Sequence, residues 1–395
     1  MNILFVLDYY MPKASANGVC VEKVVKSCID RGHRVSILAF GQGKHPKDTN
    51  PKVYYCCQNG EDAVEKNAFL YYTKWFLPRR IPPYARKAVA ECIVRSAETI
   101  IDQEKIETVV CVHLPIETLW AGKKLKNRFP QVRFLAYMLD SFSGGFLPKH
   151  LPEGYCKRRK IKWEKYLLDS FDHVILMQSS HRHHELYTSN STWYRKAIYL
   201  DIPAFVPIET RSIEREKNSI PNMVFVGTMA EGVRTPYNLY KVLNCVDIPV
   251  RFFVVGSNTC ETSEKLCKAS EIEIINKGIV PYEEAQQIVQ NADFLVSFGN
   301  KNPHLVPSKI FEYMSTGKPI IATYCSSDDS SLTYLKSYPN ILLLDEMDSN
   351  YQTQAHMLKA FLQTAFSAPD FSVLKDKFKT NLPESIVNVI EKDIK

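Results

Sequence analysis

Ser308, Lys309 and Glu312 head a short segment of apolar residues at helical spacing, Ile310, Phe311 and Met314. That set of side chains suits a nucleoside diphosphate. A hydroxyl and an ammonium at a helix start attract phosphate, and a carboxylate one turn in reaches hydroxyls. Lys309 is out of place for the helix itself, because the dipole disfavours a cation in the first turn. Such local inconsistencies gather at functional positions. The segment follows the apolar run Phe294–Phe298 and a turn-rich loop with Gly299, Asn300, Asn302 and Pro303; another apolar run starts at Ile320. The order reads as strand, loop, helix, strand. Ser308 is the expected N-cap, and Gly317 followed by Pro319 is the expected stop. The competing reading is an ordinary buried helix with a chance Lys and Glu.

Two other places offer chemistry. Asp140 follows the apolar run Val132–Met138 and precedes Gly144-Gly145. A carboxylate at a strand's carboxyl end sits where open α/β sheets bind ligands. It is a candidate to orient or deprotonate a hydroxyl, with a loop-capping Asp as the plain alternative. Arg234 lies in the loop after Met223–Val226 and Gly227-Thr228, and its guanidinium offers phosphate a bidentate fork. His181, His183 and His184 cluster, but no Cys or carboxylate partners them at metal-ligand spacing. They read as surface residues, and no metal is expected.

The elements that must position these residues alternate in type. An apolar strand at 3–7, a loop from Asp8 to Gly18, a helix from Val19 to Asp30 and a strand from Arg34 to Phe40 form a βαβ unit. The unit lacks G-x-G-x-x-G, so it carries no dinucleotide fingerprint. Residues 41–68 read as polar and irregular. Further helices are expected at about 85–103, 116–128, 350–366 and 383–394. Strands are expected at 108–112, 132–138, 174–177, 223–226, 251–255, 272–278, 294–298, 320–322 and 341–344.

At 395 residues, two domains are the natural expectation. No apolar run is long enough to span a bilayer, and Met1–Asp8 reads as a first strand, not a signal peptide. The 11 cysteines include no CxxC pair, which suits a reducing compartment. Charge is uneven. Residues 1–200 hold 31 of the 50 Lys and Arg against 19 of the 43 Asp and Glu, leaving 19 against 24 in the remainder. A basic first half points to an anionic partner. No nucleic-acid motif is present, so an anionic membrane face is the better candidate. Two stretches mix cations with aromatics, 71–88 and 149–165, as interfacial segments do; solvated surface is the plain alternative.

The string Asn291–Ala322 resembles the donor-binding segment of retaining GT-B glycosyltransferases, the family 4 or group 1 class. The matching features are Ala292-Asp293 entering the strand and Glu312 on the helix. Residues 1–40, with Gly32-His33 before the second strand, and residues 221–240 resemble it too. The resemblance implies an α/β GT-B fold, two Rossmann-like doubly wound parallel-sheet domains facing across a cleft. It implies an acceptor-side domain over 1–203, a linker over 204–220, a nucleotide-sugar domain over 221–370, and a helix within 371–395 packing back on the first domain. It places Glu312 on ribose hydroxyls, and Arg234 and Lys309 on the diphosphate with backbone near Gly227 and Ser308. Ile279 and Val280 would touch the base, and Gly18 would let donor or acceptor approach the backbone.

The chain departs from the pattern twice. Thr228 stands where the family has Arg, and His304 stands for the first of its two Glu; a His still offers a sugar hydroxyl a hydrogen bond. The implied activity moves a sugar, with retention, from a nucleotide-diphosphate sugar to a glycan or lipid-linked acceptor in surface polysaccharide or glycoconjugate synthesis. No cofactor, metal or nucleic acid is implied. The expected location is the cytoplasm, peripheral to the inner membrane face. The alternatives are a nucleotide-sugar epimerase or hydrolase, and a non-catalytic sugar-nucleotide-binding partner.

Overall fold

The computed structural model describes residues 1–11, 15–41, 49–56, 69, 73, 80–145, 147–148, 150–206, 220–260, 266–303 and 306–392. His304, residues 71, 72 and 74–79 of the 71–88 stretch, and most of the 204–220 linker lie outside the described residues. The chain divides into two compact units, Met1–Pro203 with Thr380–Lys395, and Ala204–Lys379.

Unit 1 is built on strands β1 (Asn2–Val6), β2 (Arg34–Phe40), β3 (Lys52–Cys56), β4 (Thr108–His113), β5 (Arg133–Met138), β6 (His173–Met177) and β7 (Ala197–Leu200). They pair in the order β3-β2-β1-β4-β5-β6-β7, all parallel. The central strands are continuous apolar runs because both faces are covered. Helices α1 (Ala16–Asp30), α2 (Lys87–Gln103), α3 (Ile116–Arg128), α4 (Glu153–Leu168) and α5 (His181–Thr188) surround the sheet. Leu4, Val6 and Val109 face Ile93, Ala97 and Ile100 of α2 and Leu119 and Leu125 of α3. Ile3, Phe5 and Val110 face Val21, Val24 and Val25 of α1.

Three local readings are corrected here. Helix α1 starts earlier than the sequence suggests, because Ser15 caps it; its Oγ accepts from the Gly18 N–H at 3.1 Å and donates to Asp8 at 2.7 Å. Gly18 therefore lies in the helix, buried. Residues 52–56, read as irregular, form the outer strand β3. Four of its five side chains are only half-buried, so alternation is weak. Outer strand β7, four residues long, is likewise invisible to periodicity.

Unit 2 repeats the plan. Strands β8 (Asn222–Val226), β9 (Val250–Val255), β10 (Ile272–Gly278), β11 (Phe294–Ser297), β12 (Ile320–Tyr324) and β13 (Ile341–Asp345) pair in the order β10-β9-β8-β11-β12-β13, again all parallel. Helices α6 (Tyr237–Leu243), α7 (Tyr282–Gln290), α8 (Lys309–Met314), α9 (Ser331–Leu335), α10 (Tyr351–Gln363) and α11 (Phe371–Lys377) accompany them. In each sheet the strand order reverses once, at β1/β4 and at β8/β11. That is where loops diverge and ligands settle in such sheets.

The last helix, α12 (Pro383–Glu391), returns to unit 1. Ile386, Val387, Val389 and Ile390 join the cluster built on α1 and β1. Polar contacts fasten it. Arg133 of β5 donates to the carbonyls of Val389, Ile390 and Lys392 at 2.7–2.8 Å, and Arg31 and His33 bond Glu391 at 2.7 and 2.8 Å. A cation at a helix C-terminus also meets the negative end of the dipole. Arg133→Ala is expected to destabilise unit 1 by about 2 kcal/mol. Denaturant melts should show that loss, with faster amide exchange confined to 383–392.

Candidate active site

The residues singled out in unit 2 gather at the carboxyl edge of its sheet. Gly227 follows β8, and its N–H donates to Val255 O at 2.9 Å. Gly256 follows β9 at φ +119°, and its N–H donates to Gly278 O at 2.7 Å; Gly278 ends β10 at φ +63°. Three adjacent strands thus end on a ledge of glycines. A Cβ on Gly256 would stand 2.0 Å from the Gly227 carbonyl oxygen, so only glycine fits. The sequence marked Gly227 alone; the other two look like turn residues until the strand order is known. Thr228 is exposed beyond the ledge, and Ile279, at its far end, is 82% exposed.

Arg234 closes a tight turn at the switch point. Its N–H and carbonyl pair with Ala230, with Gly232 at φ +78° inside the turn. The Lys301 N–H donates to Val233 O at 2.8 Å, joining this turn to the loop after β11. The Arg234 Nε is buried with no hydrogen-bond partner among the described residues. Burial, partly offset by the neighbouring Tyr313, pulls the guanidinium below its usual range. Tyr313 lies on α8, and its OH accepts from the Val226 N–H at 3.0 Å. That bond sets α8 against the end of β8. One turn earlier, Lys309 and Glu312 form an ion pair at 2.5 Å.

The N-cap reading of Ser308 does not hold. Ser308 has helical dihedrals, φ −59° and ψ −29°, and its side chain makes no capping bond. The Ile310 and Phe311 N–H groups donate to the carbonyls of Pro307 and Ser308, and the helix is six residues long. Two amides of the first turn, those of Ile310 and Phe311, are thereby used within the turn itself. What this edge offers a ligand is side chains, Arg234, Lys309 and Glu312, and the glycine ledge. Gly317 is left-handed at φ +74°, two residues beyond the C-cap Ser315.

In unit 1 the edge holds Asp8 after β1, His113 ending β4 and Asp140 after β5, neighbours across the switch point. Gly18 offers no backbone donor there, because Ser15 takes its N–H. Asp8 and Asp140 are both held above the usual carboxylate range by burial. Asp140 is nonetheless an exposed residue. The two facts describe different sides of the group. Protein packed behind it raises the pKa, while the open side decides whether a ligand can reach it. His113 is 1% exposed beneath Phe142, their rings 5.8 Å apart; burial, with Lys160 nearby, lowers its pKa to about 3, so the imidazole is neutral. The surface reading of the His181–His184 cluster fails at His184, which is fully buried.

No protein-family model matches the chain, and no curated protein sequence does. Solved structures do match. HepE of Anabaena, crystallised with UDP and glucose, superposes with a TM-score of 0.61 over 99% of both chains at 13% identity. The lipopolysaccharide outer core galactosyltransferase WaaB gives 0.56 over 99% of both chains at 13% identity. WaaG, a glycosyltransferase involved in lipopolysaccharide biosynthesis, gives 0.56 over 98% of this chain and 99% of its own, at 14% identity. The fold is GT-B. At such identities the likeness speaks for architecture, so what this GT-B chain binds must be argued from its own side chains. Among the described residues, no helix is long and apolar enough to cross a membrane.

Gly256→Ala tests the ledge. The clash and the left-handed backbone are expected to lower stability by roughly 2–4 kcal/mol, measured by denaturant unfolding.

Proposed function

We propose that this GT-B protein is a retaining glycosyltransferase, moving a sugar from a nucleotide-diphosphate sugar to a glycan or lipid-linked acceptor. The observation that carries the reading is the cationic pair Arg234 and Lys309 beside the glycine ledge, with one Arg234 nitrogen buried and without a partner among the described residues. An unpaired buried donor is costly unless a ligand satisfies it, and a diphosphate is the acceptor of matching charge. The ledge admits the nucleotide close to backbone. Lys309 now neutralises Glu312. A diphosphate drawing Lys309 away releases that carboxylate to accept from the ribose hydroxyls.

As the bond to the sugar breaks, negative charge grows on the leaving diphosphate. Arg234 and Lys309 stabilise that charge, which lowers the barrier. Asp140 is the acceptor-side group. Its raised pKa makes it a better base than an ordinary carboxylate, suited to orient the incoming hydroxyl and take its proton. His304, outside the described residues, stands in the sequence where it would meet the donor sugar. The UDP and glucose bound by HepE support a nucleotide-sugar donor by analogy of fold.

The acceptor's carrier is read from unit 1. Arg158, Lys162 and Lys165 of α4 are exposed beside exposed Tyr155 and Tyr166, and Lys157 lies 3.6 Å over the exposed Tyr187 ring of α5. Cations among interfacial aromatics suit an anionic membrane, each worth roughly 1 kcal/mol near its surface. Lys160, in the same basic run, is buried and takes no part.

Thermal shift with UDP, GDP and their sugars is the primary test; stabilisation by none of them would defeat the reading. Glu312→Ala is expected to weaken binding of the stabilising nucleotide about tenfold or more. Arg234→Ala and Lys309→Ala should each lower kcat/KM at least tenfold, because each removes charge opposite the leaving group. Product released only with an acceptor separates a transferase from an epimerase, a hydrolase or a binding partner. Converting Arg158, Lys162 and Lys165 together to Ala should reduce sedimentation with phosphatidylglycerol vesicles at low salt, while leaving nucleotide binding intact.

A further inference from the structure

Behind Asp140 lies a polar network that neither the sequence pattern nor the fold likeness assigns. Glu164, on the inner face of α4, is 1% exposed. Its two carboxylate oxygens accept from the Ser143 N–H and the Ser143 Oγ, each at 2.8 Å. Since that hydroxyl donates to Glu164, the 2.9 Å contact between Ser143 Oγ and His183 Nε2 makes His183 the donor. Lys160, one turn before Glu164 and also buried, donates to Gly145 O at 3.2 Å.

The other end of the loop is held likewise. Ser141 Oγ accepts from the Gly144 N–H at 3.0 Å and meets His184 Nε2 at 3.0 Å. Close packing leaves little room for larger residues. A Cβ on Gly144 would stand 3.0 Å from Ser141 Oγ and 3.3 Å from the His183 ring; on Gly145 it would stand 3.0 Å from Ser141 O. Asp140 is therefore pinned between the end of β5 and a fastened loop.

We propose that Glu164 is a positioning residue: its carboxylate on α4 fixes the Ser141–Gly145 loop and thereby the placement of Asp140. The inference rests on the acceptor-side role read above for Asp140. The titratable groups around Glu164 are Lys160 on α4, His183 and His184 on α5, and Tyr199 on β7, with His113 of β4 beside Lys160. His184 Nε2 stands 3.7 Å from the carboxylate, and burial lowers its pKa to about 3, so it is neutral. Lys160 is thus the cation facing Glu164. Burial outweighs that attraction and pushes Glu164 up to about 7. The sign follows. An acid raised on folding contributes stability that is lost as pH rises through its folded pKa.

Hydrogen exchange on the ligand-free protein is the deciding measurement. Glu164→Gln keeps the volume and one acceptor, and Ser143→Ala removes the other partner of the contact. Both are expected to speed amide exchange at 141–145 about tenfold, with the strands of unit 1 still protected. Relative to the native protein, Glu164→Gln should gain melting temperature between pH 5 and 7.5. With the nucleotide sugar that gives the largest thermal shift, Glu164→Gln should lower kcat about tenfold and change KM less than twofold. Joined to Asp140→Asn, it should add little to the loss from that change alone. Unchanged exchange at 141–145 in both variants overturns the proposal, as do additive losses in the double variant. Exchange needs no substrate, so it decides the positioning claim even where transfer itself is not found.

Discussion

Every strand in both sheets runs the same way, and the site depends on that constraint. Parallel pairing forces each connection to cross over, so all carboxyl ends of a sheet lie along one edge. In unit 2 that edge gathers Gly227, Gly256, Gly278 and Arg234, which are scattered through the sequence. In unit 1 it gathers Asp8, His113 and Asp140. The reversal of strand order at β1/β4 and β8/β11 then separates neighbouring loops and leaves room between them.

Polarity beneath these edges is held at a cost. A buried carboxylate, a buried ammonium and a neutral buried imidazole underlie the loop after β5. Apolar packing there would stabilise the unit more. In unit 2 the buried Arg234 nitrogen without a partner and the left-handed Gly256 are comparable expenses. Both units carry these costs where the proposed chemistry lies, the pattern expected when local rules yield to function.

Much of this was legible in the sequence, and the failures have physical causes. The central strands announced themselves as apolar runs, and Lys309 and Glu312 stood out because their relation is local, three residues apart on one helix. The glycine ledge was not legible, because its members become neighbours only through strand order. Ser308 misled because a serine before an apolar helix usually caps it, whereas here the first turn tightens and spends its own amides. Lys160, Glu164 and His184 did not stand out as interior residues, because composition cannot tell which polar side of a helix faces a polar interior. Strands β3 and β7 escaped because outer strands bury too little to impose a period.

Helix α12 has a consequence for how the molecule is made. Its four apolar side chains complete a core begun by the first strand and first helix, yet the whole of unit 2 is synthesised in between. At ordinary ribosomal speeds that interval is roughly ten to thirty seconds. Throughout it the part of this core that α12 closes stays open, a natural docking point for chaperones. Unit 2, continuous in sequence, can finish folding first and so precede the unit that started the chain.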